Sequence, residues 1–417
     1  MSYIKRNPYY SFVIMVFILG VSKVLSAFKD IIIAKEFGIS PDVDLYYYMF
    51  NVVNTPVSIF FTIITMTLIP TLVGGNKSIS DVNIFKWQLI ISTLVLSLPV
   101  CIVTYVFISK SNIVLVSDEF YLSVLMVATI PFGMLFSLFS AFIMSRNGYR
   151  NSALEWVPSV MLVLSIFLFK DKTTIEVLVY GTLIGFAFYT FVLIPLDVGK
   201  VNLVALSRYD EKLWKLLLNG IGILAFAQAL MSITILFDQY FASLVSQGSL
   251  SALNYSNKII SLVLTLGGVA ITRTLLPMFS NSNSKHRDLM KWLGLMFFSG
   301  VVISMFSIYC SEWIVRIVYF RGGFTLDDVI SVQEIFEVSS MQYPFYFCGL
   351  VLTSYFSSEK NYYPLLISAF LALLIKLVFN NYYLDEYGVL SISWSTVVMY
   401  TANFVLFFLF FLFRMKV

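Results

Sequence analysis

The feature that most constrains this chain is a succession of long apolar stretches joined by short polar loops. Each stretch is at least close to the ~20 residues that a helix needs to cross a hydrocarbon layer. Reading for such stretches gives residues 9–28, 44–72, 85–108, 118–144, 153–169, 174–196, 213–245, 250–279, 289–309, 328–357, 361–380 and 388–413. Lipid offers no partner to a free N–H or C=O, so each stretch must satisfy its backbone internally, as a helix does. The expectation is an all-α polytopic membrane protein of about twelve spans. Only 12% of its 417 residues are charged, half of the roughly 25% usual in a protein that faces water. The opening MSYIKRNPYY runs into apolar sequence without a small-x-small cleavage pattern, and reads as the start of the first span rather than a signal peptide.

The same accounting excludes several function classes. No loop is large enough to hold a nucleotide-binding domain, so energy from directly bound ATP is not expected. The formal net charge of +4 is small and dispersed, which argues against nucleic acid as a partner. Cys101, Cys310 and Cys348 stand far apart with no CxxC spacing, so neither a disulfide framework nor a metal site is expected. His286, the single histidine, falls in a polar loop between Lys285 and Arg287 and reads as an exposed loop residue. No Ser–His–Asp arrangement is apparent, and the chain reads as a transporter rather than an enzyme, with no cofactor.

Loop charges alternate along the chain. With twelve spans, sixteen of the 27 Lys and Arg fall in loops on one side, including Lys5, Arg6, Arg146, Arg150, Lys200, Arg208, Lys285 and Arg287. Seven fall on the other side, among them Lys29, Lys35, Lys110 and Arg316, and four lie inside spans. Positive loops stay on the cytoplasmic face, so the bias predicts that both termini are cytoplasmic. There is also an internal echo. The run from Asp44 to Pro70 and the run from Ser251 to Pro277 have the same length, and both end in a similar Leu/Ile–Pro turn. A repeat of this kind divides the chain into two six-helix halves, residues 1–198 and 199–417, the arrangement of transporters that rock one half against the other.

Ionised groups within spans are costly and usually face a cavity or a partner. Lys23, Lys258, Arg273 and Lys376 lie inside predicted spans, Lys29 lies near the outer end of the first, Asp44 opens the second and Asp238 lies in the seventh. Lysine stems also snorkel, so Lys29 and Lys258 have an interfacial reading, and Asp30 offers Lys29 a local ion pair. Lys23 and Lys258 sit in polar runs with Ser22, Asn254, Ser256 and Asn257, and together they predict a cationic cavity between the halves. Such a cavity suits an anionic phosphate or pyrophosphate. Asn54, near Asn51 and Pro56, marks either a bend at that cavity or a simple kink. Asp44, Asp238 and Lys376 are candidates to balance the field or to couple to Na+ or H+.

These residues carry a family resemblance. The segment from Ser22 to Pro56, SKVLSAFKDIIIAKEFGISPDVDLYYYMFNVVNTP, is similar to the first signature of the MurJ/MviN lipid II flippases. The segment from Phe237 to Ser280 resembles their second signature, with weaker likeness in YFRGGFTLDD and SSEKNYYPL. The wider group is the MOP exporter superfamily, which includes MATE transporters and Wzx-type O-antigen flippases. The resemblance implies a MOP/MATE-like fold in the bacterial inner membrane and an undecaprenyl-pyrophosphate-linked glycan as substrate. It implies alternating access, driven by membrane potential or a coupling ion. It puts Lys23, Lys29 and Lys258 at family cationic positions that line the cavity, with Asn54, Asn254 and Arg273 beside them, and matches Asp44 and Asp238 to family acidic positions.

The departures are specific. Val57 and Ser58 stand where the family carries an arginine pair, Asn257 replaces an aspartate, Ser261 replaces a glutamate of some members, and lysines replace arginines. The family usually has fourteen spans against the twelve counted here. These differences lead to the expectation of an O-antigen or capsule repeat unit as substrate, with a polysaccharide polymerase as possible partner and lipid II as the alternative. A drug/cation antiporter would call for a cavity of carboxylates, and a polymerase for a large external loop. Neither is present in the sequence.

Overall fold

The structure is a computed structural model that describes residues 8–73, 79–111, 120–145, 150–169, 174–194, 211–220, 223–281, 285–359 and 363–415. Among these residues every regular element is a helix. In chain order they are α1 (Pro8–Phe37), α2 (Pro41–Val73), α3 (Ile79–Ser109), α4 (Phe120–Val127), α5 (Thr129–Met144), α6 (Arg150–Ala153), α7 (Val157–Leu168), α8 (Ile175–Leu193) and α9 (Glu211–Gly220). Then follow α10 (Ile223–Ser243), α11 (Ser249–Asn281), α12 (Lys285–Tyr309), α13 (Ser311–Tyr319), α14 (Leu326–Ser340), α15 (Tyr343–Ser358), α16 (Tyr363–Tyr387) and α17 (Leu390–Met415). Seven of them are long and apolar enough to cross a membrane, counted among the described residues.

Within the described residues every expected span coincides with helix, but two are divided. The stretch 118–144 breaks at Ala128, and the stretch 328–357 breaks at Met341–Gln342. In the last case Pro344 sits in the first turn of α15, where its missing N–H is not needed and its fixed φ starts a new helix. Hydropathy reports burial in lipid but not the continuity of the backbone. His286 also differs from its expected place: it is exposed, but within the first turn of α12, with its ring 5.5 Å from that of Phe411.

The surface inverts the soluble pattern. Val103, Leu168, Phe298 and Phe413 are all more than two-thirds exposed, as lipid-facing side chains are. Hydroxyls within the helices turn back onto their own backbones. Thr62, Thr65, Ser137 and Thr182 each donate to the carbonyl four residues earlier, which keeps them satisfied without water.

The chain clusters into two compact units, Met1–Ile32 with Val52–Ile221 and Ile33–Asn51 with Gly222–Val417. In the first, α2, α3, α5, α7, α8 and α9 contribute to a core that includes Leu68, Phe85, Leu138, Phe142, Tyr189 and Leu217. Trp214 of α9 meets the Phe85 ring edge-on at 5.4 Å and donates its indole N–H to Gln88 at 3.1 Å. Small residues bring α7 and α8 together, since a Cβ on Gly185 would stand 2.8 Å from the Pro158 carbonyl oxygen.

The tip of the α1–α2 hairpin, Ile33–Asn51, belongs with the second unit. Gly38 ends α1 at φ +58°, and its N–H returns to Ala34 O at 2.9 Å. A Cβ there would lie 2.6 Å from Gly323 O, so the tip and the Arg321–Phe324 turn approach backbone to backbone. Gly323 donates its N–H to Lys35 O at 2.6 Å. Tyr255, Tyr319 and Phe324 form an aromatic cluster beside this contact, with centroids 5.0–5.7 Å apart. The Tyr255 hydroxyl donates to Gly38 O at 3.1 Å.

Candidate functional site

The second unit gathers most of the polar groups singled out from the sequence. Asp44 stands in the first turn of α2 and is 3% exposed. Its Oδ1 accepts from the backbone N–H of Ser251 at 2.7 Å and from the Ser251 hydroxyl. Its Oδ2 accepts from the N–H of Gly248. The Ser251 N–H belongs to the first turn of α11, which has no carbonyl partner for it within the helix, and Gly248 immediately precedes that turn. Asp44 therefore caps a helix other than its own, and the charge it meets is the partial positive charge of that helix end. The two echoing segments are both helices of 33 residues, and the start of one caps the start of the other.

One turn further in, α2, α10 and α11 are tied by amides. Asn51 donates its Nδ2 to Asn254 Oδ1 at 2.8 Å. Asn254 in turn donates to Leu250 O at 2.8 Å and to Gln239 Oε1 at 3.2 Å. Asn254, expected among the substrate ligands, is 5% exposed, and its amide is engaged in helix packing.

Beside Gln239 on α10, Asp238 meets Lys376 of α16. The ammonium lies 2.7 Å from Asp238 Oδ1 and 2.8 Å from Oδ2, and also donates to the Thr396 hydroxyl of α17. Two of the three residues named from the sequence as ion-coupling or charge-balancing groups are thus each other's partner, 138 positions apart.

Lys258 is half-buried on α11, next to exposed Asn257. In the first unit, Lys29 is buried near the end of α1 with Asp30 at 3.5 Å, the local pair anticipated from sequence. Asn54 is half-buried in α2. Lys23 and Arg273 lie in α1 and α11, but their side chains are outside the described residues. Substrate-binding candidates therefore come from both units: Lys23, Lys29 and Asn54 from the first, and Lys258, Asn254 and Arg273 from the second. No group of three or more His, Cys, Asp or Glu that could hold a metal occurs among the described residues.

Gly248, Ser251, Gln239 and Thr396 were not singled out as site residues from the sequence. Thr396 left a trace as part of the polar run Ser391–Thr396 within an apolar span. The others are partners in hydrogen bonds that link distant segments, and no local pattern marks them.

Comparison with known proteins places this arrangement. The family model described as "Lipid II flippase MurJ" matches residues 33–416. The probable lipid II flippase MurJ of Buchnera aphidicola subsp. Baizongia pistaciae is 23% identical over 411 residues, covering 93% of this chain and 80% of the relative. That of Thermotoga maritima is 27% identical over 411 residues, covering 92% and 81%. Among solved structures, lipid II flippase MurJ in an inward closed conformation superposes with a TM-score of 0.82 at 19% identity, covering 97% of this chain and 88% of that one. An inward-facing multidrug resistance MATE transporter of the MOP superfamily gives 0.76 at 12% identity, covering 95% and 94%. The fold is an all-α, MOP/MATE-like polytopic membrane fold.

Proposed function

Because the chain belongs to the MurJ family of lipid II flippases, a family that moves lipid-linked glycans, we propose that its substrate is lipid II. The observation that carries this reading is the match of the family model over residues 33–416, supported by curated relatives that bear the name of probable lipid II flippase. The expectation of an O-antigen or capsule unit gives way to it. That expectation leaned on a count of spans, which carries no substrate chemistry, and on exchanges such as lysine for arginine. Those exchanges alter the geometry of phosphate contacts while keeping their charge.

In this reading the substrate enters from the cytoplasmic side, where both termini lie, and leaves on the far side as the two lobes alternate access. Lys23, Lys29 and Lys258 hold the pyrophosphate as point charges, with Asn54 and Arg273 nearby, while the lipid tail stays in the bilayer. Binding needs no covalent step. The driving force is the membrane potential or a coupling ion.

The test is complementation in two strains, one depleted of its lipid II flippase and one lacking its O-antigen flippase. Restored growth in the first is the expected outcome. Restored surface polysaccharide in the second alone overturns lipid II in favour of a repeat unit and reinstates a polymerase as partner.

A further inference from the structure

We propose that Lys376 is a tethered counter-cation: its ammonium permanently fills an oxygen-lined monovalent-cation site formed by Asp238, Thr396 and the α16 face that carries Asn380. As a consequence, the native protein takes up no Na+ there.

The geometry supports this assignment. An ammonium has three N–H donors and no acceptor. All three are used, two on the Asp238 carboxylate at 2.7 and 2.8 Å and one on Thr396 Oγ1. The Thr396 hydroxyl has its own proton committed to Ile392 O at 2.8 Å, so it presents only lone pairs to the nitrogen. Two helices, α10 and α17, thus converge three oxygens on the one positive centre that α16 supplies, as they would on a bare cation. The Lys376 side chain is 2% exposed and that of Asp238 18% exposed, so the ammonium is buried against a carboxylate that keeps a small exposed edge.

Asn380 adds a second observation. It lies four residues along α16 from Lys376, on the same face, is 0% exposed, and neither atom of its amide has a hydrogen-bond partner among the described residues. With the lysine stem removed, its Oδ1 becomes a further neutral oxygen for a small cation. The charge count points the same way: one carboxylate and one ammonium cancel. Deleting the ammonium leaves a carboxylate in a low-dielectric interior, which must then acquire a proton or a metal ion.

The inference does not depend on the transported substrate, and its test reads stability instead of transport. Purified full-length protein, Lys376→Gln and the charge-neutral Asp238→Asn/Lys376→Gln variant are unfolded thermally in choline chloride, NaCl, LiCl and KCl at equal ionic strength. The native protein and the double variant are expected to show the same Tm in all four salts. Lys376→Gln is expected to unfold earlier in choline and to gain a saturable rise of about 2 °C or more in NaCl or LiCl, as a bound ligand gives. Two results overturn the proposal: a native Tm that rises with Na+ and loses that rise in Asp238→Asn, or a Lys376→Gln protein indifferent to all three metal ions. If Lys376→Gln cannot be isolated folded in choline, purification in NaCl decides. Folded protein that unfolds when Na+ is dialysed away supports the site, and failure to fold in every salt overturns it.

Discussion

Asn254 shows how one side chain can look like a ligand and act as a fastener. In sequence it belongs to a polar run inside a span, which suggests a wet face. In the fold its amide takes a bond from Asn51 and gives bonds to Leu250 O and Gln239. Truncation to Ala would take a partner from half-buried Asn51 and from buried Gln239, at a cost of about 1–3 kcal/mol each where no other partner replaces it. Asn254→Ala is therefore expected to lower Tm by several degrees. The Asn51→Ala/Asn254→Ala pair should recover part of that loss, because one orphan disappears with it. A transport defect with unchanged Tm would instead return Asn254 to the substrate site. Asp44 belongs to the same class, since the groups it serves lie 204–207 positions away and nothing near it in sequence names them.

At the scale of elements, hydropathy located the helices well because lipid rewards apolar side chains wherever the backbone is helical. It missed the breaks at Ala128 and Met341–Gln342, since two short helices in series are as apolar as one long helix. Close helix contacts are equally silent in composition, because a glycine against a neighbour and a glycine against lipid look alike. Gly185 of α8 faces Pro158 so closely that a Cβ would stand 2.8 Å from its carbonyl oxygen, whereas a Cβ on Gly349 of α15 would meet nothing within 4 Å among the described residues. Gly185→Ala is expected to destabilise by about 1–3 kcal/mol through overpacking. Gly349→Ala should be neutral or stabilising by up to about 1 kcal/mol, because alanine loses less entropy in a helix. Thermal unfolding of the two variants side by side checks the contrast.

For the whole molecule, the family and its transport of lipid-linked glycans follow from motifs spread over nearly the entire chain, and the proposed grip on the pyrophosphate rests on three lysines. Each is expected to make a charge-assisted hydrogen bond to phosphate, worth about 1.5–3 kcal/mol. Lys258→Ala should therefore weaken lipid II binding by about tenfold or more, and Lys23→Ala/Lys258→Ala should abolish rescue of a flippase-depleted strain. Lys258→Arg should retain most function, since charge is preserved. Binding to lipid II in detergent and growth rescue measure the two effects, and full activity of the double variant would remove the cationic cavity from the mechanism.

The sequence by itself determined the solvent, the class and the family. Twelve apolar stretches, scarce charge and short loops leave a helical membrane protein as the only way to satisfy the backbone, and the signatures around Asp44 and Tyr255 identify the kind. Tertiary structure alone decided the partners: that Asp44 caps α11, that Lys376 neutralises Asp238, and that the tip Ile33–Asn51 joins the second unit against Gly322 and Gly323. The physical reason is range. Hydropathy and helix periodicity act over a few turns, so they are written locally. A buried charge is answered by whichever oxygen or N–H the packing brings near, and packing pairs residues hundreds of positions apart.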